Sequence, residues 1–141
     1  MGGIALYIKD GRPTYEYNWI SQARYKVTGS EILAPGPNTI RMEFHYDGGG
    51  LGKGGTATLF VNDKKVGSVR IDKTSWGRFS ADETFDIGED AGSPVSESYS
   101  SPNPYTGTIK KVVIDTQPAN LSAAEQQTIR NMEREAALAA E

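Results

Sequence analysis

The chain has 141 residues, enough for one domain with a two-layer core, and its 37% hydrophobic and 23% charged content is that of a globular rather than a disordered sequence. A net charge of −3 with scattered Lys and Arg argues against a nucleic-acid surface, and the absence of Cys removes disulfides, thiolate metal sites and a Cys nucleophile. No apolar run approaches the ~20 residues of a membrane span, and the opening MGGIALYIKDG has neither the basic stretch nor the long apolar region of a signal peptide.

Sixteen Gly and 7 Pro predict many turns and short strands, as in an all-β domain. Strand-like sequence begins at Ile4, almost without lead-in, which suits a natural start or a domain cut from a longer protein. Ile4, Leu6 and Ile8 alternate with Ala5 and Tyr7; Lys9-Asp10-Gly11-Arg12-Pro13 supplies a turn with the Asp-Gly hairpin signal; Thr14 to Trp19 is the return strand. A short strand around Tyr25–Thr28 follows, then the breaker cluster Ala34-Pro35-Gly36-Pro37-Asn38. The clearest strand comes next. Ile40, Met42, Phe44 and Tyr46 share one face, while Thr39, Arg41, Glu43 and His45 share the other, so one face meets a core and one meets solvent.

Asp47 to Gly55 is a Gly-rich loop. A strand from Thr56 to Asn62 leaves it, with Ala57, Leu59 and Val61 on one face, and turns through Asn62-Asp63-Lys64-Lys65 into Val66–Ile71 as a second hairpin. After Trp76 and Phe79 a short strand is expected near Thr84–Ile87, then a long polar loop from Gly88 to Pro104, then a last strand Thr108–Asp115. The chain then changes character. Ser122 with Glu125 fits a capping box, and residues 123 to 140 are rich in helix formers. The apolar stripe Ile129, Met132, Ala136 is thin, so this helix docks weakly or needs a partner.

Gly50-Leu51-Gly52-Lys53-Gly54-Gly55 formally satisfies G-x-G-x-x-G, but a strand follows it where a dinucleotide site needs a helix N-terminus. The Walker A pattern also fails, because Lys53 is followed by Gly54. The plain reading is a tightly turned loop. Asp82, Glu83, Asp86, Glu89 and Asp90 cluster around Gly88, and a hard cation such as Ca²⁺ takes several oxygens from a flexible loop. Asp86 and Asp90 are the metal-ligand candidates; the competing reading is a solvated loop with Asx turns. His45, the single His, lies on an outward face without triad-like neighbours and reads as a surface residue. Trp19, Trp76 and the Tyr residues suit a core better than a sugar-stacking platform.

Two resemblances follow from longer phrases. Phe44-His45-Tyr46-Asp47, then Thr58 to Val66, then Tyr105-Thr106-Gly107-Thr108-Ile109-Lys110-Lys111-Val112 and Leu121-Ser122-Ala123-Ala124-Glu125 resemble concanavalin-A-like lectin and glucanase sandwiches, including laminin-G-like domains. More narrowly, Ala5 to Tyr15, Tyr46 to Gly55 and Asp82 to Ser96 resemble the C-terminal region of large bacterial arylsulfatases. These enzymes hydrolyse sulfate esters with a formylglycine made in a C/S-x-P-x-R motif beside a divalent cation. Ser100-Ser101-Pro102-Asn103-Pro104 lacks the Arg, so the resemblance transfers no catalytic residue here. The formylglycine and the divalent cation would belong to a parent catalytic domain.

The expectation is therefore an all-β, two-sheet antiparallel, jelly-roll-like β-sandwich over residues 1–118 with a helical tail over 119–141. The resemblance implies a non-catalytic accessory domain of a sulfate-ester hydrolase, packing on the sulfatase catalytic domain of the same parent chain or forming homo-oligomers. It implies no nucleic-acid or membrane partner, and a bacterial source without choosing cytoplasm or periplasm. Two alternatives stand beside it. One is a stand-alone carbohydrate-binding module. The other is a small glucanase-like hydrolase, which needs two inward carboxylates about 5–9 Å apart.

Overall fold

Two hairpins organise the strands, and both turn as their sequences ask. The computed structural model describes residues 2–77, 79, 85–118 and 120–139; Asp82, Glu83, Thr84 and the side chain of Ala136 lie outside the described set. β1 (Gly3–Lys9) and β2 (Arg12–Trp19) are joined by Asp10 and Gly11, at φ 51° and 72°. Two consecutive left-handed residues give the turn whose twist matches paired strands. Asn62 and Asp63, at φ 48° and 64°, do the same between β5 (Gly55–Val61) and β6 (Lys64–Ile71).

β3 (Ala23–Thr28) completes an antiparallel sheet of order β1-β2-β3, and β4 (Ile40–Tyr46) completes a second of order β4-β5-β6. The sheets meet along β3 and β6. Gly67 lets them approach closely, since a Cβ there would come within 2.6 Å of the Val27 side chain. The core between them is Tyr15, Tyr17 and Val27 from the first sheet and Ala57, Leu59 and Ile71 from the second, with Trp19, Tyr25, Ile40, Met42, Val66, Val69 and Phe79 around it. The arrangement is sandwich-like, with small sheets and one C-terminal helix.

The strand with the strictest alternation, β4, buries its apolar face only in part. Ile40 and Met42 pack on the core, while Phe44 and Tyr46 stay exposed. β2 behaves oppositely. Its residues from Pro13 to Asn18 are all buried, so the polar set Thr14, Glu16 and Asn18 is covered as well as the tyrosines. The cover is the loop around residues 95–99, which reaches back over this face.

Among the described residues, two expected strands are not formed. Residues 85–87 form no strand, and Phe85 and Ile87 are exposed. Thr108–Asp115 forms none either, although it carries strand-forming residues. Val113 is 71% and Ile114 63% exposed. The polar loop after Gly88 is instead closed by two short strands, β7 (Glu89–Asp90) and β8 (Asn103–Pro104), which pair antiparallel.

The helix α1 (Ala123–Leu138) starts on the expected capping box. The Glu125 amide donates to Ser122 Oγ at 3.3 Å, and the Ser122 amide donates to Glu125 Oε2 at 2.7 Å. Glu125, Ile129 and Met132 are half-buried and the rest of its described surface is mostly exposed, which agrees with a thin docking stripe.

Candidate functional site

Two features concentrate chemistry: a buried carboxylate on the polar face of the first sheet, and an aromatic groove at the far end of the same strand.

Glu16 is the buried carboxylate, only 1% exposed. Its Oε2 accepts from Ser96 Oγ at 2.5 Å and from Tyr7 Oη at 3.0 Å, and Lys26 Nζ lies 3.0 Å away. Arg24 Nη1 stands 3.6 Å from Oε1. Strand register explains the gathering: Lys26 is the cross-strand neighbour of Glu16, and Arg24 is two residues along the same face of β3. Burial alone pushes the carboxyl up. The hydrogen bonds from Ser96, Lys26 and Tyr7, with the Lys26 charge, outweigh burial and hold it below its ordinary range. With all its neighbours engaged, Glu16 stays ionised and clamps the 95–99 loop to the sheet. Asn18 Nδ2, which donates to Val95 O at 3.0 Å, is a second clamp.

Asp86 and Asp90 fall in the same loop region and brace it. Asp90 Oδ2 accepts from Tyr99 Oη at 2.6 Å and from the Val95 amide at 3.4 Å; Asp86 Oδ2 accepts from the Ala91 amide at 3.1 Å. Tyr99 packs edge-on against Tyr7, ring centres 5.2 Å apart, linking this brace to the Glu16 cluster. Burial, then the bond to Asp90, push the Tyr99 hydroxyl well above its ordinary value. Among the described residues, no three His, Asp or Glu side chains gather as a cation site would require.

The aromatic groove has a volume of about 500 Å³ and is lined by Trp19, Ile20, Leu51, Gly52, Thr74, Ser75, Trp76, Gly77 and Met132. Trp19 packs partly on the core, whereas Trp76 is 47% exposed. The Gly-rich loop forms one wall. Gly52, at φ +68°, sits where a Cβ would lie 3.1 Å from Trp76 Cδ1, and the Thr74 hydroxyl donates to Lys53 O at 2.7 Å. Tyr17 from the core reaches up to accept the Ser75 amide at 2.7 Å. Thus the loop that mimics a phosphate motif shapes an indole surface instead. Ile20 at the rim has φ +49°, a strained position for a β-branched residue, held by the Gln22 amide bonding to Trp19 O at 2.9 Å.

His45 is exposed on β4, as expected. Neither the aromatic groove nor the groove beside the β1–β2 turn is lined by a pair of carboxylates. Sequence reasoning placed Trp19 and Trp76 in the core; the structure brings them to one groove, Trp76 outside the core. It missed Glu16 altogether, because Thr14-Tyr15-Glu16-Tyr17-Asn18 alternates as a strand with a solvent face would. Comparison of the chain with protein-family models, with curated proteins and with solved structures finds no match in any of the three.

Proposed function

We propose that the chain is a non-catalytic accessory domain that docks on a larger partner, and that the partner is the catalytic domain of an arylsulfatase-like sulfate-ester hydrolase. The observation that carries the docking half is surface. A compact monomer of 15.3 kDa exposes about 7,100 Å². This chain exposes 9807 Å², an excess of roughly 2,700 Å². One side of a standard protein interface covers about 800 Å². The exposed surface includes apolar side chains: Ile4 and Leu6 on the core-side face of β1, and Ile109, Val112, Val113 and Ile114 in the segment that forms no strand. The sulfatase half rests on the three phrases Ala5–Tyr15, Tyr46–Gly55 and Asp82–Ser96.

On this reading the jelly-roll-like sandwich is completed on the partner. The exposed face of β1 is covered there, and Thr108–Asp115 gains an edge to pair with. The domain supplies no nucleophile; formylglycine and the divalent cation stay with the catalytic domain. The test is binding to an arylsulfatase catalytic domain trimmed of its own C-terminal region. Saturable one-to-one association is expected, and association that Leu6→Asp and Val113→Asp leave unchanged refutes the reading.

A second reading, a carbohydrate-binding module, is favoured by Trp19 and Trp76 lining one groove with the Thr74 and Ser75 hydroxyls beside them. Indole faces stack on the apolar faces of sugar rings while hydroxyls orient them. A glycan array separates the two readings: binding lost in Trp76→Ala supports the module, and an array without any signal removes it.

A further inference from the structure

A second groove, of about 200 Å³, opens at the other end of the first sheet, beside the β1–β2 turn. It is lined by Tyr7, Lys9, Asp10, Arg12, Thr14, Lys26, Thr28 and Ser98. Strand register produces this set. Lys9 pairs with Arg12, Tyr7 with Thr14 and Thr14 with Thr28, so these side chains share the polar face of the sheet. Thr14 and Thr28 join hydroxyl to hydroxyl at 3.1 Å between the flanking cations.

The charge balance of this groove is unusual for a chain with net charge −3. Three cations line it against one carboxylate, Asp10. Lys26 is neutralised from beneath by Glu16 at 3.0 Å. Lys9 and Arg12 have no carboxylate within salt-bridge distance among the described residues. Their hydrogen bonds go to backbone carbonyls: Lys9 Nζ to Ser98 O at 2.5 Å, Arg12 Nη1 to Gly29 O at 3.2 Å and to Ser30 O. Those bonds hold the cationic heads in place; Asp10 in the lining and Glu31, which acts on Arg12 from beyond salt-bridge distance, offset only part of the positive charge. An ammonium and a guanidinium so fixed on paired positions, with the Thr14 and Thr28 hydroxyls on the next row of the same face, form a site for an oxyanion, which takes charge-assisted bonds from both cations.

We propose that the Lys9–Arg12–Lys26 groove binds a single anionic oxygen group, a sulfate or phosphate monoester. The inference is independent of the docking and carbohydrate readings.

The test is a titration of the full chain with inorganic sulfate and with inorganic phosphate, followed by amide NMR, with sodium chloride at matched ionic strength as control. Saturable shifts at Thr14, Thr28 and Ser98 are expected with the oxyanions and not with chloride. Arg12→Gln is expected to weaken binding about tenfold, the worth of one charge-assisted bond. Lys9→Gln, which gives up one bond to a carbonyl, is the second variant should the first unfold. Shifts that do not saturate, that chloride reproduces, or that persist unchanged in a folded variant overturn the proposal. A sulfated and a phosphorylated sugar, each against its uncharged parent, distinguish the two sources; equal binding of the uncharged parents also overturns it.

Discussion

Ser96 donates its hydroxyl proton to Glu16 Oε2 at 2.5 Å across 80 residues of sequence, and this bond fastens the loop between β7 and β8 to the central strand of the first sheet. Its energetic weight follows from burial. A carboxylate that loses its partners inside a protein keeps its desolvation penalty, so breaking such a cluster costs about 3–5 kcal/mol.

Glu16→Ala, which removes four buried contacts but leaves only partly exposed cations behind, is expected to destabilise the fold by about 1–3 kcal/mol, and Ser96→Ala, which leaves the buried carboxylate short of a donor, by a similar amount. In the first variant Lys26 also loses its counter-charge, while Arg24 keeps Glu97 at 3.2 Å. Urea denaturation followed by tyrosine and tryptophan fluorescence measures both. A cost within about 0.5 kcal/mol for Glu16→Ala, the range of a surface substitution, would show that the cluster does not hold the loop.

The same cluster sets an acid limit. The carboxyl of Glu16 is lowered from its ordinary 4.5 on folding, so its ionised form binds the folded state more tightly than its protonated form does. Its contribution is complete above pH 4.5 and is lost as pH falls through the lower folded value. Glu31, Asp47 and Glu125 are lowered as well and add to the slope in the same acid window. Thermal unfolding between pH 7 and pH 3 is expected to show a smaller loss of stability in Glu16→Gln than in the parent chain. Parallel curves would assign the acid sensitivity to the exposed carboxylates alone.

Ile20 offers a stabilising change. Left-handed backbone costs a β-branched residue about 1–2 kcal/mol, and Asn tolerates it far better. Ile20→Asn is expected to raise stability by about 1 kcal/mol, read as an increase in Tm. A fall in Tm would mean that the isoleucine side chain at the groove rim contributes more by packing than its backbone costs.

Trp76 separates ligand binding from folding. Its side chain is largely outside the core, so Trp76→Ala is expected to leave stability within about 0.5 kcal/mol. If the groove stacks on sugar rings, the same change weakens glycan binding by about tenfold. Trp19→Ala is expected to lower stability by several kcal/mol at most, because that ring packs on the core. Fluorescence titration and melting curves on the two variants check the contrast.

The hairpins and the helix cap were legible in the sequence because local rules govern them: Asp10-Gly11 and Asn62-Asp63 dictate their turns, and Ser122 with Glu125 dictates the cap. Thr108–Asp115 misled because strand propensity states only that a segment fits a sheet, not that an edge is available. Glu16 was illegible because Ser96, its closest partner, is distant in sequence, and a polar residue on an alternating strand reads as solvent-facing until a loop is known to cover it. The Trp19–Trp76 groove depends on the same kind of long-range meeting, between the end of β2 and the segment after β6.

On the proposed reading, the exposed apolar surface of β1 and of residues 109–114 belongs to an interface with a sulfatase catalytic domain. Calorimetric titration of the full chain into an arylsulfatase catalytic domain, trimmed of a C-terminal region carrying the same three phrases, tests it most directly. Saturable one-to-one binding is expected, abolished by Leu6→Asp and Val113→Asp while the chain stays folded. Absence of heat at every concentration reached, together with a chain that is a stable monomer by itself, would contradict it.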